Sequence, residues 1–577
     1  MPETVSGGAQ PPKEISMELR LLLAFLLMGA VMFLTPYFFK SQTPPGKKAP
    51  AAAVVHQPGA PAVPTTPAAP ATTASAEAAQ APVAPATSAQ ALPPLVVQTN
   101  LFRVTFSNQG ATVRSWLLEK YKDNDNKPLE LTNTAAGQVY PFSLYFPGRK
   151  PATDVNKAYY TQTADPDGLG VTYTFSDGHT QVRKSFQFQK NSYLLQVTSE
   201  VTIDGKPVTA MIEWRGGFGD LTVPNPANAE HAIYYNQADN KIEEIAAKTA
   251  AKGPVTASGN FSFAGIEDQY FAAAFLPRNS ATVEQVTFSN TARTVLDAKE
   301  MPFVGVGVAD GTTNRFDLFV GPKDLNILRA INPKLEQLVN FGFFSILAKP
   351  LFLIVNWTNN AFVHNYGWSI VLVTVAITFA LFPLRLSNMK SMKKMQALKP
   401  QIDAINAKYK NVKMTDPRAG EKNQEVMELY KKNGVNPMGG CFPMLIQLPF
   451  FYAFYKVFTV AIEMRGASWL WVSDLSQPEH ISWMPGIHPL PIIMIASQFF
   501  MQKMTPQPAG DPNQRKMMLL MPLLFGFMFY NFPSGLVLYY LTSNLVSMGQ
   551  QWFFNRTDAA LAAERSVEPP RKKNGRK

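Results

Sequence analysis

Long apolar runs and strictly alternating stretches follow one another along this chain. The first apolar run, Leu21 to Phe39, lies between Arg20 and Lys40 and approaches the roughly 20 residues that a spanning helix needs. Since no small-x-small cleavage site follows, an uncleaved anchor over 20–40 is favoured over a removed signal peptide. The anchor is preceded by a short tail, residues 1–19.

A β-rich region follows the anchor. Residues 41–94 are rich in Pro, Ala and Thr and predict a flexible linker without a core. Beyond the linker the apolar positions recur with a period of two, and the turn pair Asp177-Gly178 separates two such stretches. The alternating apolar positions include Phe102, Val104, Phe106, Val171, Tyr173, Phe175, Val182, Phe186 and Phe188. This pattern predicts an all-β sandwich domain over 95–330.

Helical spacing returns in the remaining part, 331–556. Leucines and phenylalanines at helical intervals predict an amphipathic helix over 332–348 that lies on a membrane surface, with a helix packed on the β domain as the alternative. Five longer apolar stretches predict membrane-spanning helices. They cover 365–384, 441–463, 489–503, 517–531 and 533–554. Together with the anchor, these stretches give a multi-pass α-helical membrane protein of six spans.

The placement of positive charge predicts the orientation. The segment 385–440 carries twelve Lys and Arg residues and reads as two helices joined by a break, a helical hairpin. The tail 557–577 ends in RKKNGRK, whereas 464–488 holds only Arg465. Because cytoplasmic loops carry the excess of Lys and Arg, the hairpin and both termini are expected in the cytoplasm and the β domain outside.

The composition excludes several kinds of chemical site. The chain has 577 residues, a formal net charge of +12, six histidines and a single cysteine, Cys441. One cysteine forms no intrachain disulfide, and scattered histidines do not make a zinc site. No GxxxxGK[ST] phosphate loop occurs. We therefore expect no metal, no cofactor and no nucleotide hydrolysis by this chain.

Polar residues recur in rows within the predicted spans. The pairs at i, i+4 are Thr374 and Thr378, Gln498 and Gln502, Tyr539 and Ser543, and Tyr540 and Asn544. Such pairs share a helix face. Ordinary hydrogen bonding between helices explains any one pair. Rows on several helices, together with Gln447 in the third span, favour a shared hydrophilic cavity.

Two stretches carry a family resemblance. NPMGGCFPMLIQLPFF (436–451) and FPSGLVLYYLTSNL (532–545) resemble the signature stretches of the YidC family of membrane protein insertases, and NYGWSI (365–370) agrees with them. The anchor, linker and large β domain resemble the Gram-negative bacterial form, in the inner membrane. The resemblance implies a five-helix core around a hydrophilic groove and a β-supersandwich outside.

The resemblance also implies partners and groove residues. The partners would be nascent membrane proteins, the Sec translocon, the ribosome at the hairpin and basic tail, and the lipid bilayer, with no sequence-specific nucleic acid. The groove residues would include Gln447, Thr374, Tyr539 and Tyr540, and the polar rows add Thr378, Gln498, Ser543 and Asn544.

The chain departs from the family at one position. Family members usually carry an arginine ten residues after the aromatic residue of N-[YW]-G-[WF]-S, and here that position is Thr378. Lys456 is the first candidate for a replacement charge, and Arg385, at the cytoplasmic mouth, is the second. An uncharged groove is the third possibility, in which Lys456 extends to the outer interface or pairs with Glu463.

Two other classes of protein compete with an insertase. A secondary transporter of a small solute would show repeated halves with Gly- or Pro-interrupted helices. A membrane-anchored enzyme would need a nucleophile and base, or a metal set, in the β domain. Neither a repeat nor a catalytic constellation is visible in the sequence, so a non-enzymatic insertase is the leading hypothesis.

Overall fold

A computed structural model describes residues 89–567 apart from gaps at 125, 135–137, 224–228, 279–281, 290–292, 295–299, 410–417, 436–441, 482–483, 485 and 506–511. The predicted tail, anchor and most of the linker, 1–88, lie outside the described residues, as does the end of the basic tail from 568 onward.

Residues 95–322 form sheets. The strands are β1 Leu95–Gln98, β2 Phe102–Ser107, β3 Thr112–Lys122, β4 Pro128–Glu130, β5 Leu144–Tyr145, β6 Thr161–Ala164, β7 Gly170–Ser176, β8 Thr180–Phe188, β9 Leu194–Ile203, β10 Lys206–Pro207, β11 Met211–Trp214, β12 His231–Asn236, β13 Lys241–Ala246, β14 Val255–Gly259, β15 Phe261–Glu267, β16 Phe271–Pro277, β17 Val283–Ser289, β18 Arg293–Thr294, β19 Glu300–Met301, β20 Val304–Ala309 and β21 Thr313–Pro322.

Two of the sheets pack against each other. The larger runs in the order β13-β12-β15-β16-β21-β9-β8-β7-β6, with β10 paired to β9, and the smaller runs β14-β17-β20-β11-β5. Strands β12 and β15 of the larger sheet contact β20 of the smaller one. A separate antiparallel sheet contains β1 to β4 in chain order. The predicted β-rich domain is therefore confirmed.

The β-hairpin predicted around Asp177-Gly178 is present, with the expected pairing of its strands. Ser176 of β7 pairs with Gln181 of β8 across the turn at Asp177-Gly178. The Asp177 carboxylate accepts hydrogen bonds from the backbone amides of His179 and Thr180, at 2.9 and 2.6 Å. These bonds are those of an Asx turn, so Asp177 serves the fold here.

The helices follow the sheets. They are α1 Leu325–Ile331, α2 Ser345–Thr358, α3 Tyr366–Ala380, α4 Phe382–Ala397, α5 Lys399–Lys408, α6 Arg418–Lys432, α7 Phe442–Val460, α8 Pro489–Met504, α9 Pro512–Phe529 and α10 Ser534–Val567, with short 3₁₀ turns at Thr249–Lys252, Pro333–Leu338 and Ile462–Met464 and a π turn at Asn359–Val363. The helical C-terminal region predicted from the sequence is confirmed.

The single amphipathic helix predicted over 332–348 is wrong. The 3₁₀ turn Pro333–Leu338 is separated from α2 by Gly342, whose φ of +71° ends regular structure there. Leu335 and Leu338 are buried in the core, whereas Phe343 and Ile346 are 88% and 87% exposed. One apolar pattern thus covers two elements with different environments.

The helical hairpin is present as predicted in outline. Its first arm is broken between α4 and α5, and the returning arm is α6. The arms share a small core of their own, which contains Met392, Met395, Leu398, Ile402, Tyr430 and Val435. Lys408 and Glu425 add an exposed ion pair of 2.9 Å between the arms. The two arms therefore pack on each other through a core that is separate from the main one.

The six predicted spans stay a prediction. Among the described residues, no helix on its own combines the length and the apolar composition that crossing a membrane requires. Ser345–Val363 and Tyr366–Ala380 meet that requirement only when taken together, with a bend of 115° between them, and Leu520–Phe529 is a shorter apolar helix.

Candidate functional site: a polar seam along the last helix

Helix α10 brings most of the predicted site residues together. It packs against α3, α7 and α8. Its polar side chains recur every three or four residues from Tyr539 onward, which places them along one side of the helix. We call this set, Tyr539, Tyr540, Ser543, Asn544, Ser547 and Gln550 with their partners on other helices, the polar seam.

One end of the seam is the contact between Tyr539 and α7. The phenol of Tyr539 hydrogen-bonds the side chain of Gln447. The Tyr539 ring also stacks on Phe454 at a centroid distance of 4.2 Å. Gln447 and Phe454 are seven residues apart, or two turns, so both lie on the face of α7 that meets α10. Gln447 is half-buried and Tyr539 is buried.

The middle of the seam joins α10 to α8. The Asn544 amide donates to the Ser497 hydroxyl at 3.1 Å, and Ser497 in turn donates to the carbonyl of Met494 at 2.6 Å. Ser497 and Asn544 are both buried. The neighbouring Gln498 and Ser543 are half-buried. Ser497 was not predicted, because the residue chosen on α8 was Gln498.

Arg385 contacts the seam at Ser547, about two turns along α10 from Tyr539. Its guanidinium donates to the Ser547 hydroxyl of α10 and lies near the phenol of Tyr540. Helix α3 ends at Ala380, and α4 begins at Phe382 with Pro383 in its first turn. Backbone hydrogen bonds from the Leu381 amide to the Ile377 carbonyl, at 3.0 Å, and from the Arg385 amide to the Leu381 carbonyl, at 3.1 Å, bridge this junction. The half-buried Arg385 therefore reaches α10 from the first turn of α4.

Thr374 and Thr378 were expected to line the groove, but their hydroxyls bond within α3. Both are buried, and their hydroxyls donate to carbonyls of their own helix, Ile370 at 2.6 Å and Thr374 at 2.7 Å. The Gln550 amide donates to the Thr378 carbonyl at 3.4 Å, so α3 joins the seam through its backbone. The Gln550 side-chain oxygen is buried and has no hydrogen-bond partner among the described residues.

Lys456 lies beside Gly342 and Tyr452. Its Cε is 3.3 Å from the point where a Cβ on Gly342 would be, and the hydroxyl of Tyr452 is 3.4 Å from that point. Gln447, nine residues away, is on the opposite face of α7. The assignment of the groove charge to Lys456 stays a prediction, whereas Arg385 is a cation that contacts the seam through Ser547.

The sequence analysis did not identify the polar residues of α10 that follow Asn544. Ser547, Gln550 and Gln551 are all buried polar residues of α10. They continue the row of Tyr539 and Ser543 at intervals of three or four residues, so the same periodicity could have identified them. All three lie beyond 532–545, the stretch that carries the family resemblance.

Known proteins are similar to this chain over nearly its whole length. A family described as the YidC periplasmic domain matches residues 94–354, and a family described as 60Kd inner membrane protein matches 357–560. A protein of Syntrophus aciditrophicus named membrane protein insertase YidC is 33% identical over 569 residues, which cover 94% of this chain and 100% of the relative.

A second relative, from Pelobacter propionicus and of the same name, is 34% identical over 490 residues, or 81% of this chain and 89% of the relative. A solved structure of an active YidC insertase with its first transmembrane domain resolved has 19% identity and a TM-score of 0.34, covering 92% of this chain and 99% of that one. By the identity and coverage of its relatives, the chain belongs to the YidC family.

Proposed function

We propose that the chain is a membrane protein insertase of the inner membrane and that the polar seam is the path along which nascent membrane proteins enter the bilayer. The observation that carries this proposal is the convergence of α3, α4, α7 and α8 on one polar row of α10. Polar side chains that meet inside a helical membrane domain offer hydrogen bonds to a substrate backbone in hydrocarbon, where unpaired polar groups are costly.

Arg385 gives the path a charge. It is a half-buried cation beside Ser547 and Tyr540, in a chain that has Thr378 where relatives of this family usually have arginine. A cation at the seam attracts acidic substrate segments as they leave the cytoplasm. Arg385→Gln should therefore impair insertion of a substrate with an acidic tail more than that of the same substrate with a neutral tail.

Lys456 is the matched control for Arg385. It is also half-buried and lies beside Gly342, away from the seam. Lys456→Gln should affect both substrates equally. A larger loss for the acidic tail in Lys456→Gln than in Arg385→Gln would contradict this assignment of the charge.

The orientation and further partners belong to the same proposal. The twelve Lys and Arg residues of 385–440 and the basic tail support a cytoplasmic hairpin and C-terminus, with the β domain outside. The hairpin and tail would receive the ribosome, and the Sec translocon would act beside the seam for larger substrates. The insertion itself would require no nucleotide hydrolysis and no cofactor of this chain.

Site-specific photocrosslinking tests the path. A photoreactive residue at Ser543, within the seam, should crosslink to a stalled nascent membrane protein. Leu545 is the control, because it lies on the same helix two positions away and is 54% exposed on another face. Equal crosslinking from both positions, or crosslinking from Leu545 alone, would place the substrate elsewhere.

A further inference from the structure

The connection between α7 and α8 is unusually well packed. We call residues 461–479 the outer loop. Most of its apolar residues are buried, among them Ile462 at 3% and Met464 and Leu475 at 0% exposure, while Leu470 and Trp471 are exposed. Loops normally run over a surface because their backbone groups need water. A buried loop needs protein partners for those groups instead.

Three helix beginnings supply these partners. The Asn365 amide, which caps α3, donates to the Ser468 carbonyl at 2.9 Å. The Gly535 amide of α10 donates to the Leu475 carbonyl at 2.9 Å. The Glu479 carboxylate accepts from the Leu490 amide of α8 at 2.8 Å. The outer loop therefore joins the ends of α3, α8 and α10 on the side away from the basic hairpin.

The β domain clamps the outer loop through Arg465. The guanidinium of Arg465 pairs with the Asp220 carboxylate, and the two side chains are only 6% and 1% exposed. It also donates to the Lys122 carbonyl at 2.9 Å and lies 5.2 Å from the ring of Tyr270. The buried Tyr270 also lies near Ser476 of the outer loop. A second link runs from the Gln269 amide to the carbonyl of Thr459 at 2.8 Å.

The charges across this contact are complementary. On the β-domain side, three buried carboxyl groups lie close together, because Asp268 accepts the Asp220 amide at 2.7 Å and is adjacent to Glu267. Lys323 pairs with Glu267 at 3.1 Å. Arg465 adds a second cation to this cluster, and it comes from the outer loop. Withdrawing Arg465 would leave Asp220 buried without its ion-pair partner, which is strongly unfavourable.

We propose that the β domain is a latch on the outer side of the molecule, and that the Arg465–Asp220 ion pair holds the outer loop closed over the beginnings of α3, α8 and α10. Opening this side requires Arg465 to leave the β domain. The latch thereby couples the position of the β domain to access to the polar seam. Its relevance to substrate rests on the proposed function, but the latch itself is measurable without substrate.

Cysteine labelling of the full-length protein in membranes tests the latch. Cys441→Ser removes the only cysteine, and Ser476→Cys then places a nearly isosteric reporter at a position that is 3% exposed between the outer loop and the β domain. A membrane-impermeant maleimide added from outside should label this reporter slowly. Adding Arg465→Gln should raise the labelling rate at least tenfold, because the loop separates from the domain.

Two controls separate the latch from general unfolding. A second reporter, Val104→Cys, lies in the β-domain core at 0% exposure and should stay protected in the Arg465→Gln protein. Arg149→Gln breaks an ion pair with Asp204 that is about half exposed and should leave labelling of Ser476→Cys unchanged.

The double variant Asp220→Leu with Arg465→Met should return labelling to the slow rate, because an apolar pair of similar volume replaces the buried ions. An unchanged rate in Arg465→Gln, or equal acceleration at Val104→Cys, would overturn the latch. Since no substrate is present, either result would leave the proposed insertase function standing.

Discussion

Lys184 makes the stability of the β domain depend on pH. Its side chain is 2% exposed, and its ammonium nitrogen donates to the carbonyls of Gly110 at 2.7 Å and Phe142 at 2.6 Å. Burial lowers the pKa of Lys184 from 10.5 to about 7, and the partly opposing influence of Glu213 does not reverse this. By the usual conversion, the lowered pKa corresponds to about 5 kcal/mol between the two protonation states.

The sign of the effect follows from proton binding. Between about pH 7 and pH 10.5 the unfolded chain holds this proton and the folded domain does not. The free energy of unfolding therefore rises with pH across that range. Between pH 7 and pH 9 the contribution of Lys184 amounts to about 2 kcal/mol. Below pH 7 both states hold the proton, and the contribution becomes constant.

The substitution Lys184→Met isolates this contribution. Methionine fills a similar volume without a charge, so the free energy of unfolding should rise about 2 kcal/mol less between pH 7 and pH 9 than in the unchanged protein. Denaturant titrations in detergent, followed by near-ultraviolet circular dichroism, report on the neighbouring buried pair Trp116 and Trp214, 5.8 Å apart.

The exposed Lys206 provides the control, because Lys206→Met should leave the pH dependence unchanged. Identical pH slopes for Lys184→Met and the unchanged protein would refute the reasoning. That result would mean that Lys184 remains protonated in the folded domain up to the pH at which it titrates in the unfolded chain.

Three further predictions concern the outer loop, the hairpin and the β domain. Gly367→Ala should lower the free energy of unfolding by about 1–3 kcal/mol, because the new Cβ would lie 2.4 Å from the Cβ of Trp469. Gly549→Ala is the control and should leave this free energy unchanged, because no atom lies within 4 Å of the position of its Cβ. Deleting 389–432 should abolish insertion, and normal insertion would contradict this prediction. Helix α10 should stay folded in this variant, because the hairpin has a core of its own. Deleting 95–325 should reduce insertion without abolishing it, since the polar seam lies elsewhere; complete loss at normal protein levels would contradict this.

The local patterns of the sequence predicted the elements well. The period-two alternation around Asp177-Gly178 became β7 and β8, and the polar rows on the last helix became the seam. The same alternation also contained the signal for Lys184, which has the parity of Val182 and Phe186 on β8 and therefore faces inward with them. It was overlooked because lysine is rarely buried.

Contacts between distant segments could not be predicted from the sequence. The sequence left the groove charge open between Lys456, Arg385 and an uncharged groove. In the structure, Arg385 at the start of α4 contacts Ser547 of α10, and Lys456 lies beside Gly342. Nothing in a single sequence pairs Arg465 with Asp220, which is 245 residues away. Such pairs depend on how the domains pack, and local periodicity carries no information about that.

Reconstitution tests the central claim most directly. Purified protein in liposomes, without nucleotide or any other protein, should insert a short single-span membrane protein and give a protease-protected fragment. Replacing Gln447 and Tyr539 by leucine and phenylalanine should strongly reduce that fragment while the protein remains folded, because one end of the seam loses its polar groups. Protection no greater than in empty liposomes would contradict the insertase function. Full protection with the doubly substituted protein would contradict the seam as the path.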